Sequence, residues 1–298
     1  MKALVVPLDG FTGALLAGPA VRAVATRAHP VTVLCGPGGA PAARLLPHVD
    51  DVVVWEPPEG GRADDDDPLV RRADDDDPLV RRLRAEAYDV ALVFAPDGHS
   101  PRPTEQLLLR ARVNRVAACG EAGARAVLGT AAALGFRPRP GDDGRLRVVP
   151  PPDTAQLTGA GPYVVVHPGS GPPGHAWDPD RCAEAVAALA DAGHRVVVTG
   201  GEEETVLTRR VSGDIAVDLG GRTDPRRFAG VLRAADVVVT GAPGPAHLAA
   251  ATGTPVVSLV PPGAPRRPDG VPSVLLAPDD CTARDVAGAV HRLLDERT

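Results

Sequence analysis

The sequence predicts an α/β protein built from two successive parallel-sheet units, on three observations. Short apolar runs, most of them valine, alternate with longer Ala-, Leu- and Arg-rich stretches along the chain. Most of these runs are apolar at consecutive positions, not at alternate ones, which marks strands buried on both faces. Residues 137–161, rich in Pro, Gly and Asp, interrupt the alternation near the middle of the 298 residues and divide it into two series.

In the first series, residues 4–6, 31–34, 52–54 and 90–94 read as strands. Residues 15–26, 40–46 and 105–112 read as the helices between them. In the second series the strands are 163–166, 196–198, 216–218, 237–239 and 256–259. Helices fall at 179–192, 202–211, 225–234, 245–251 and 282–294. Proline suits the first helical turn at Pro179, Pro225 and Pro245, and Gly193 suits the residue just past a helix end. Thr282 and Asp285 have the spacing of a capping box. Two such series predict two Rossmann-like domains, 1–155 and 156–298, facing a cleft.

Composition excludes several classes of function. The net charge is −6, so no global basic field for nucleic acid exists. Aromatic residues are 3% of the chain, too few for a base-stacking platform. No apolar run reaches the ~18–20 residues of a membrane span. The first residues read as a buried strand, not a signal peptide. Cys35, Cys119, Cys182 and Cys281 are widely spaced, as reduced cytosolic thiols would be. Lys2 is the sole lysine; all other basic side chains besides histidine are arginine, a bias of GC-rich coding. Residues 62–71 recur identically as 72–81, with four consecutive aspartates in each copy. Consecutive carboxylates repel, and a calcium loop spaces its ligands at alternate positions, so the repeat reads as a duplicated, solvated surface loop.

Three strand-end loops carry the chemistry. In open α/β sheets, ligands bind beyond the carboxyl ends of the strands. The loop 167–177, HPGSGPPGHAW, follows one strand and precedes the helix from Pro179. Backbone N–H groups around Ser170 and Gly171 suit a phosphate, and His175 adds a side-chain donor. The same loop also reads as a plain connection rich in Gly and Pro. The second, 240–249, runs through Gly241, Pro243 and Gly244 into a helix whose first turn would hold His247. A histidine on an Ala-rich helix is as readily a packed residue. The third, at Thr199 and Gly200, leads into Glu202, Glu203 and Glu204, acids suited to a helix start.

HPGSGPPGHAW, VVVTGGEEE, DLGGRTDPRRFAGVLRAADVVVT and GPAHLAAATGTPVVSL, in this order, resemble the ADP-heptose:lipopolysaccharide heptosyltransferases, glycosyltransferase family nine. LDGFTGALLAGPAVRAV is similar to the family's opening loop and first helix. The resemblance spans nearly the whole chain. It implies the GT-B fold, with the acceptor side in the N-terminal half and nucleotide-sugar binding in the C-terminal half. It also implies inverting, metal-independent transfer from an ADP-activated heptose, with no cofactor beyond that co-substrate.

The departures from the family pattern carry information of their own. The opening loop usually reads Gly-Asp, with the aspartate as general base; here Thr12 and Gly13 stand there. The later motif reads Asp-Ser/Thr-Gly-Pro-x-His, its aspartate holding the donor sugar; here residues 242–247 read APGPAH. The cation two residues before the motif tryptophan, Trp177, is His175. A positioned base contributes roughly 10²–10⁴-fold in rate. Asp9 is the nearby carboxylate able to replace it, and it reads equally well as a residue that caps or orders the loop.

The resemblance therefore implies a heptosyltransferase-like enzyme with an altered site. Ser170, Gly171, His175, Thr199, Gly200, Thr223, Pro243, Gly244 and His247 would bind the donor. Gly10, Phe11, Thr12 and Gly13 would form the acceptor-side loop, with Asp9 as catalytic base. Expected partners are a nucleotide-sugar and an unidentified acceptor, which a small molecule of secondary metabolism would satisfy. No nucleic acid, membrane span or metal is expected. The expected place is the cytoplasm, free or at the inner face of the membrane. The rival reading is a non-catalytic nucleotide-sugar binder or partner subunit. A nucleotide-sugar epimerase of related architecture fits the motifs less well.

Overall fold

The computed structural model describes residues 1–55, 77–96, 98–120, 123–169, 177–260 and 268–296. The chain forms two compact units, Met1–Val149 and Pro150–Thr298. The division falls at 149/150 where the sequence placed it at 155/156. The short helix α7 (Ala155–Thr158), which precedes the first strand of the second unit, packs with that unit.

The N-terminal unit holds five parallel strands in the order β3-β2-β1-β4-β5. They are β1 (Ala3–Pro7), β2 (Val31–Cys35), β3 (Asp51–Val54), β4 (Val90–Phe94) and β5 (Val116–Cys119). The central strands β1, β2 and β4 are buried at every position, as their largely apolar runs require, Thr32 included. At the edge, β3 exposes Asp51 and Val54. Leu4, Val6, Leu34, Val93 and Leu108 centre the core.

The first helical stretch differs from the expectation. It begins at Gly10, not near residue 15, and divides into α1 (Gly10–Leu16) and α2 (Gly18–Val24). Pro19 has no N–H to donate to the preceding turn, which interrupts the ladder there. Helices α3 (Ala40–Ala43), α4 (Pro78–Glu86), α5 (Arg102–Arg110) and α6 (Ala124–Ala133) complete the unit.

The end of the repeat is helical, which corrects the reading of its second copy as solvated loop throughout. Asp77 caps α4, accepting from Leu79 N at 2.7 Å and Val80 N at 3.4 Å, and Pro78 fills the first turn. Val80 is fully buried. The first copy and residues 72–76 lie outside the described residues. Because the copies are identical, removing either gives the same sequence, with one Asp-Pro-Leu-Val-Arg start for α4. Halving a loop of this kind changes closure entropy by only ~0.6 kcal/mol. The urea midpoint of this deletion is expected to match the parent's within that amount; a loss of about 2 kcal/mol or more would show that the duplicated segment makes contacts of its own.

The C-terminal unit holds six parallel strands in the order β11-β10-β9-β6-β7-β8. They are β6 (Val164–His167), β7 (Val196–Val198), β8 (Val217–Asp218), β9 (Val237–Thr240), β10 (Val256–Leu259) and β11 (Ser273–Leu276). The helices are α8 (Pro179–Asp191), α9 (Thr205–Ser212), α10 (Pro225–Ala234), α11 (Pro243–Thr252) and α12 (Ala283–Asp295). β-branched valine fills the central strands, where both faces are covered. Asp178 and Asp224 cap α8 and α10 ahead of a first-turn proline, as Asp77 does for α4. Thr282 and Asp285 form the capping box, with Thr282 N donating to Asp285 Oδ2 at 2.8 Å. Counted from its own first strand, this sheet has the doubly wound order 3-2-1-4-5-6, and the N-terminal sheet has 3-2-1-4-5. The strand order reverses between β1 and β4 in one unit and between β6 and β9 in the other. Among the described residues, no helix is long and apolar enough to cross a membrane.

Candidate functional site

In the C-terminal unit, β6 and β9 lie side by side, with His167 in register with Thr240 at their carboxyl ends. The loops that follow, starting at Pro168 and Gly241, therefore leave the sheet together at the reversal point, where open α/β sheets take their ligands. The sequence singled out both loops.

His167 stands at the head of the first of them. Its Nδ1 is 3.0 Å from Thr199 Oγ1 and its Nε2 is 4.0 Å from Glu204 Oε2. The ring packs at a tilt on Phe228, with centroids 5.5 Å apart. Glu204 in turn accepts from Gly201 N at 2.8 Å and closes the 3-10 turn Glu202–Glu204. Its carboxylate lies across Gly169: a Cβ there would meet Glu204 Oε1 at 2.5 Å and His167 Nε2 at 2.7 Å. A larger residue here would have to displace the Glu204 carboxylate and the His167 ring, so the backbone leaving β6 is held close to both.

Burial pushes the His167 imidazole down to about 4, against a smaller upward pull from Glu204. The ring is neutral at pH 7, and its hydrogen-bond role toward Thr199 follows its tautomer. The folded value lies below the ordinary 6.5. Its stabilising contribution is therefore complete above pH 6.5 and is lost as pH falls towards 4, where a proton must enter a buried ring. His167→Asn keeps an amide near the Nδ1 position and removes the titration. Its urea midpoint is expected to vary less between pH 6.5 and 4 than the parent's; equal slopes would assign that stretch to other groups.

Thr199, expected to bind the donor, is fully buried with its hydroxyl on His167. Beside it, Gly200 packs against Thr208 Cγ2, 2.5 Å from where a Cβ would be. Thr223 is half-buried in the turn before α10. Ser170, Gly171 and His175 lie outside the described residues. Trp177 is buried in the unit's core beside α8, and its Nε1 has no hydrogen-bond partner among the described residues.

The second loop is shorter than the sequence placed it. Thr240 Oγ1 accepts from Ala242 N at 3.0 Å, and α11 begins at Pro243, not Pro245. Pro243 is exposed and Gly244 buried. His247 thus moves from the first turn to the second, where it is 4% exposed. Ala242 stands at the N-cap and offers no side-chain oxygen. The helix end keeps its partial positive charge uncompensated by a cap.

In the N-terminal unit, Leu8 N donates to Phe94 O at 2.9 Å, which places the residues after β1 at the β1/β4 reversal. Residues 10–13, expected as a loop, are the first turn of α1. Gly10 takes a left-handed φ of 42°, the turn by which the chain enters the helix. Phe11 and Thr12 are half-buried and Gly13 is buried. Asp9 sits at the N-cap, half-buried, but its side chain caps nothing. Its carboxylate has no hydrogen bond or ion pair with the described residues. A Cβ on Gly13 would lie 2.7 Å from Asp9 Cβ and 3.8 Å from Asp9 Oδ2. The Asp9 side chain therefore occupies the space that a side chain at position 13 would enter. Among the described residues, no group of three or more His, Cys, Asp or Glu could hold a metal ion.

Residues 125–271 match the family model of glycosyltransferase family 9 (heptosyltransferase). All four motifs of the C-terminal half fall inside that range; the opening loop and helix of the N-terminal unit lie outside it. The fold is similar to that of E. coli ADP-heptose LPS heptosyltransferase II, with a TM-score of 0.74, 19% identity, and 100% of this chain and 99% of that one covered. It is similar to the glycosyl transferase family 9 protein of Veillonella parvula, with a TM-score of 0.74, 16% identity, and 99% and 97% covered. The E. coli heptosyltransferase WaaC, solved with ADP, gives a TM-score of 0.68 at 17% identity, with 99% of each chain covered. Among curated proteins no sequence matches the chain significantly. The chain resembles the family-nine heptosyltransferases and has their GT-B glycosyltransferase fold.

Proposed function

We propose that the protein transfers a sugar, a heptose, from an ADP-activated donor to an acceptor hydroxyl or amine, and that the acceptor is a small molecule. The observation that carries this reading is the β6/β9 reversal point. There the crowded turn at Gly169 and the uncapped start of α11 converge on one sheet edge, within the residues that match the family model. An uncapped helix start with Gly244 in its first turn suits the diphosphate of a nucleotide-sugar. His175, by its place in the motif, supplies the cation beside that diphosphate, and Ser170 and Gly171 supply backbone donors. Thr223, Pro243 and His247 belong to the same donor pocket.

Asp9 acts as the general base. Its carboxylate has no hydrogen bond or ion pair among the described residues and fills the volume of the side chain that the family pattern carries at position 13. The acceptor oxygen or nitrogen attacks the anomeric carbon in line as the bond to the diphosphate oxygen breaks. ADP leaves with the bonding electron pair, and the acceptor proton passes to Asp9. The configuration at that carbon inverts. In this reading the reaction needs no metal or cofactor and takes place in the cytoplasm.

Calorimetry with ADP and product analysis with ADP-heptose test this reading together. The expected result is ADP binding plus acceptor-dependent release of ADP with a new glycoside among the products. ADP binding without any transfer would make the protein a nucleotide-sugar binder, the reading that Gly13 and Ala242 favour. No ADP binding would overturn both.

A further inference from the structure

We propose that the N-terminal unit carries a second anion site, on the amino-terminal edge of its sheet, that takes a phosphate group. A cavity of about 280 Å³ lies there, lined by Arg22, His48, Arg139, Asp142 and Arg147 among others. Arg22 is near the end of α2 and His48 precedes β3, so both lie where strands begin. Asp9 and Gly13 follow the end of β1, at the opposite edge of the same sheet. The cavity is therefore separate from the reversal point to which the transfer chemistry is assigned.

Its fixed element is a buried ion pair. Only 7% of the Arg22 side chain is exposed. Its Nε donates to Asp142 Oδ2 at 2.7 Å, and its Nη2 to Asp142 Oδ1 at 2.8 Å and Arg145 O at 2.9 Å. This guanidinium holds the Asp142 carboxyl down at about 2, so the pair is ionised at any working pH. Arg22 Nη1 is buried with no hydrogen-bond partner among the described residues. That atom is closed off from solvent, so the pair forms a fixed wall of the cavity, and the exposed Arg139 and Arg147 beside it are the donors a ligand would meet.

The remaining cations are in surplus. Arg147 donates to Asp143 Oδ1 at 2.9 Å, with both side chains about half-exposed. The Arg139 guanidinium makes no hydrogen bond or ion pair with the described residues. His48 adds a ring from a backbone held at φ 67°, a conformation that non-glycine residues keep only where their surroundings fix it. Asp142 offsets Arg22, and Asp143 is shared by Arg145 and Arg147, which leaves the arginines around the cavity in excess of the carboxylates. In a chain of net charge −6 this is a local excess of positive charge. Guanidinium forks match the oxygens of a phosphate in pairs. The volume is just under that of common ligand pockets, which favours a phosphate on a small group over a whole nucleotide.

Calorimetric titration with inorganic phosphate and with glycerol 3-phosphate tests the site, each with and without saturating ADP. The expected result is one site per chain that ADP leaves unchanged. Arg139→Gln and Arg147→Gln, both at exposed side chains, should each weaken it roughly tenfold, the scale of one charge-assisted hydrogen bond. Tighter binding of glycerol 3-phosphate would identify a monoester as the ligand class, and equal or weaker binding would identify the free ion. The proposal is overturned if neither probe binds at millimolar concentration, if ADP competes the binding away, or if both variants bind like the parent. A transferase that failed every activity assay would leave this test intact.

Discussion

Asp9→Asn is expected to lower turnover with an ADP-sugar donor by roughly 10²–10⁴-fold, the usual contribution of a positioned base. ADP affinity should be unchanged, because Asp9 follows β1 and the nucleotide is assigned to the C-terminal unit. The amide has the size of the carboxylate and cannot take the acceptor proton. The stronger test moves the carboxylate. Gly13→Asp alone would put a Cβ 2.7 Å from Asp9 Cβ, a separation that side chains do not adopt, and would crowd two like charges. Asp9→Gly combined with Gly13→Asp removes the overlap and returns the carboxylate to the family's position. The expected order of turnover is parent and double variant above Gly13→Asp, with Asp9→Asn lowest. Parent-like turnover in Asp9→Asn would remove Asp9 from the chemistry.

Gly230→Ala is expected to destabilise the C-terminal unit by about 1–3 kcal/mol, the cost of overpacking a filled site. On an open helix surface the same change stabilises by roughly 0.5–1 kcal/mol, because alanine is the better helix former. Here α10 lies so close to the chain before α7 that a Cβ would meet Pro152 O at 2.5 Å and Thr154 Cγ2 at 2.8 Å. The first of these is backbone and cannot rotate away. Tyr163 Oη, which donates to Val231 O at 2.8 Å, anchors the neighbouring turn of α10 and limits its retreat. Urea unfolding of the two proteins decides the sign. A midpoint equal to or above the parent's would mean that the 150–154 segment yields at little cost.

Strands of unbroken valine announced themselves, since a run that is apolar on both faces has no place except between two helical layers. Helix starts at Pro179, Pro225 and Thr282 were equally legible, because proline and capping residues act within one turn of their own position. β5 and β11 were not. β5 (Val116–Cys119) is half alanine, and β11 (Ser273–Leu276) is a half-exposed edge strand, so neither has the apolar contrast that marks a strand. α6, on an Ala-rich stretch, was also missed. The start of α1 escaped because Gly10, Thr12 and Gly13 are poor helix formers; the packing of α1 against α3 holds them helical.

The candidate site divides in the same way. Sequence spacing alone found the loops after β6 and β9, since each is a glycine-bearing turn between a strand and a helix. It placed His167 at the head of the first loop without giving it a role, because a histidine ending a strand looks like any other. Its neighbours Thr199, Glu204 and Phe228 come from other elements and meet it only in the folded unit.

By itself, then, the sequence determined two α/β units, most of their strands and the family they resemble. All of these rest on local patterns: the burial period of a strand, the cap of a helix, the order of short motifs. Tertiary structure alone decided that Asp9 fills the space beside Gly13, that Glu204 lies across Gly169, and that Arg22 and Asp142 pair 120 positions apart in the chain. Close approach between distant segments depends on how whole elements pack, and no local pattern encodes that distance.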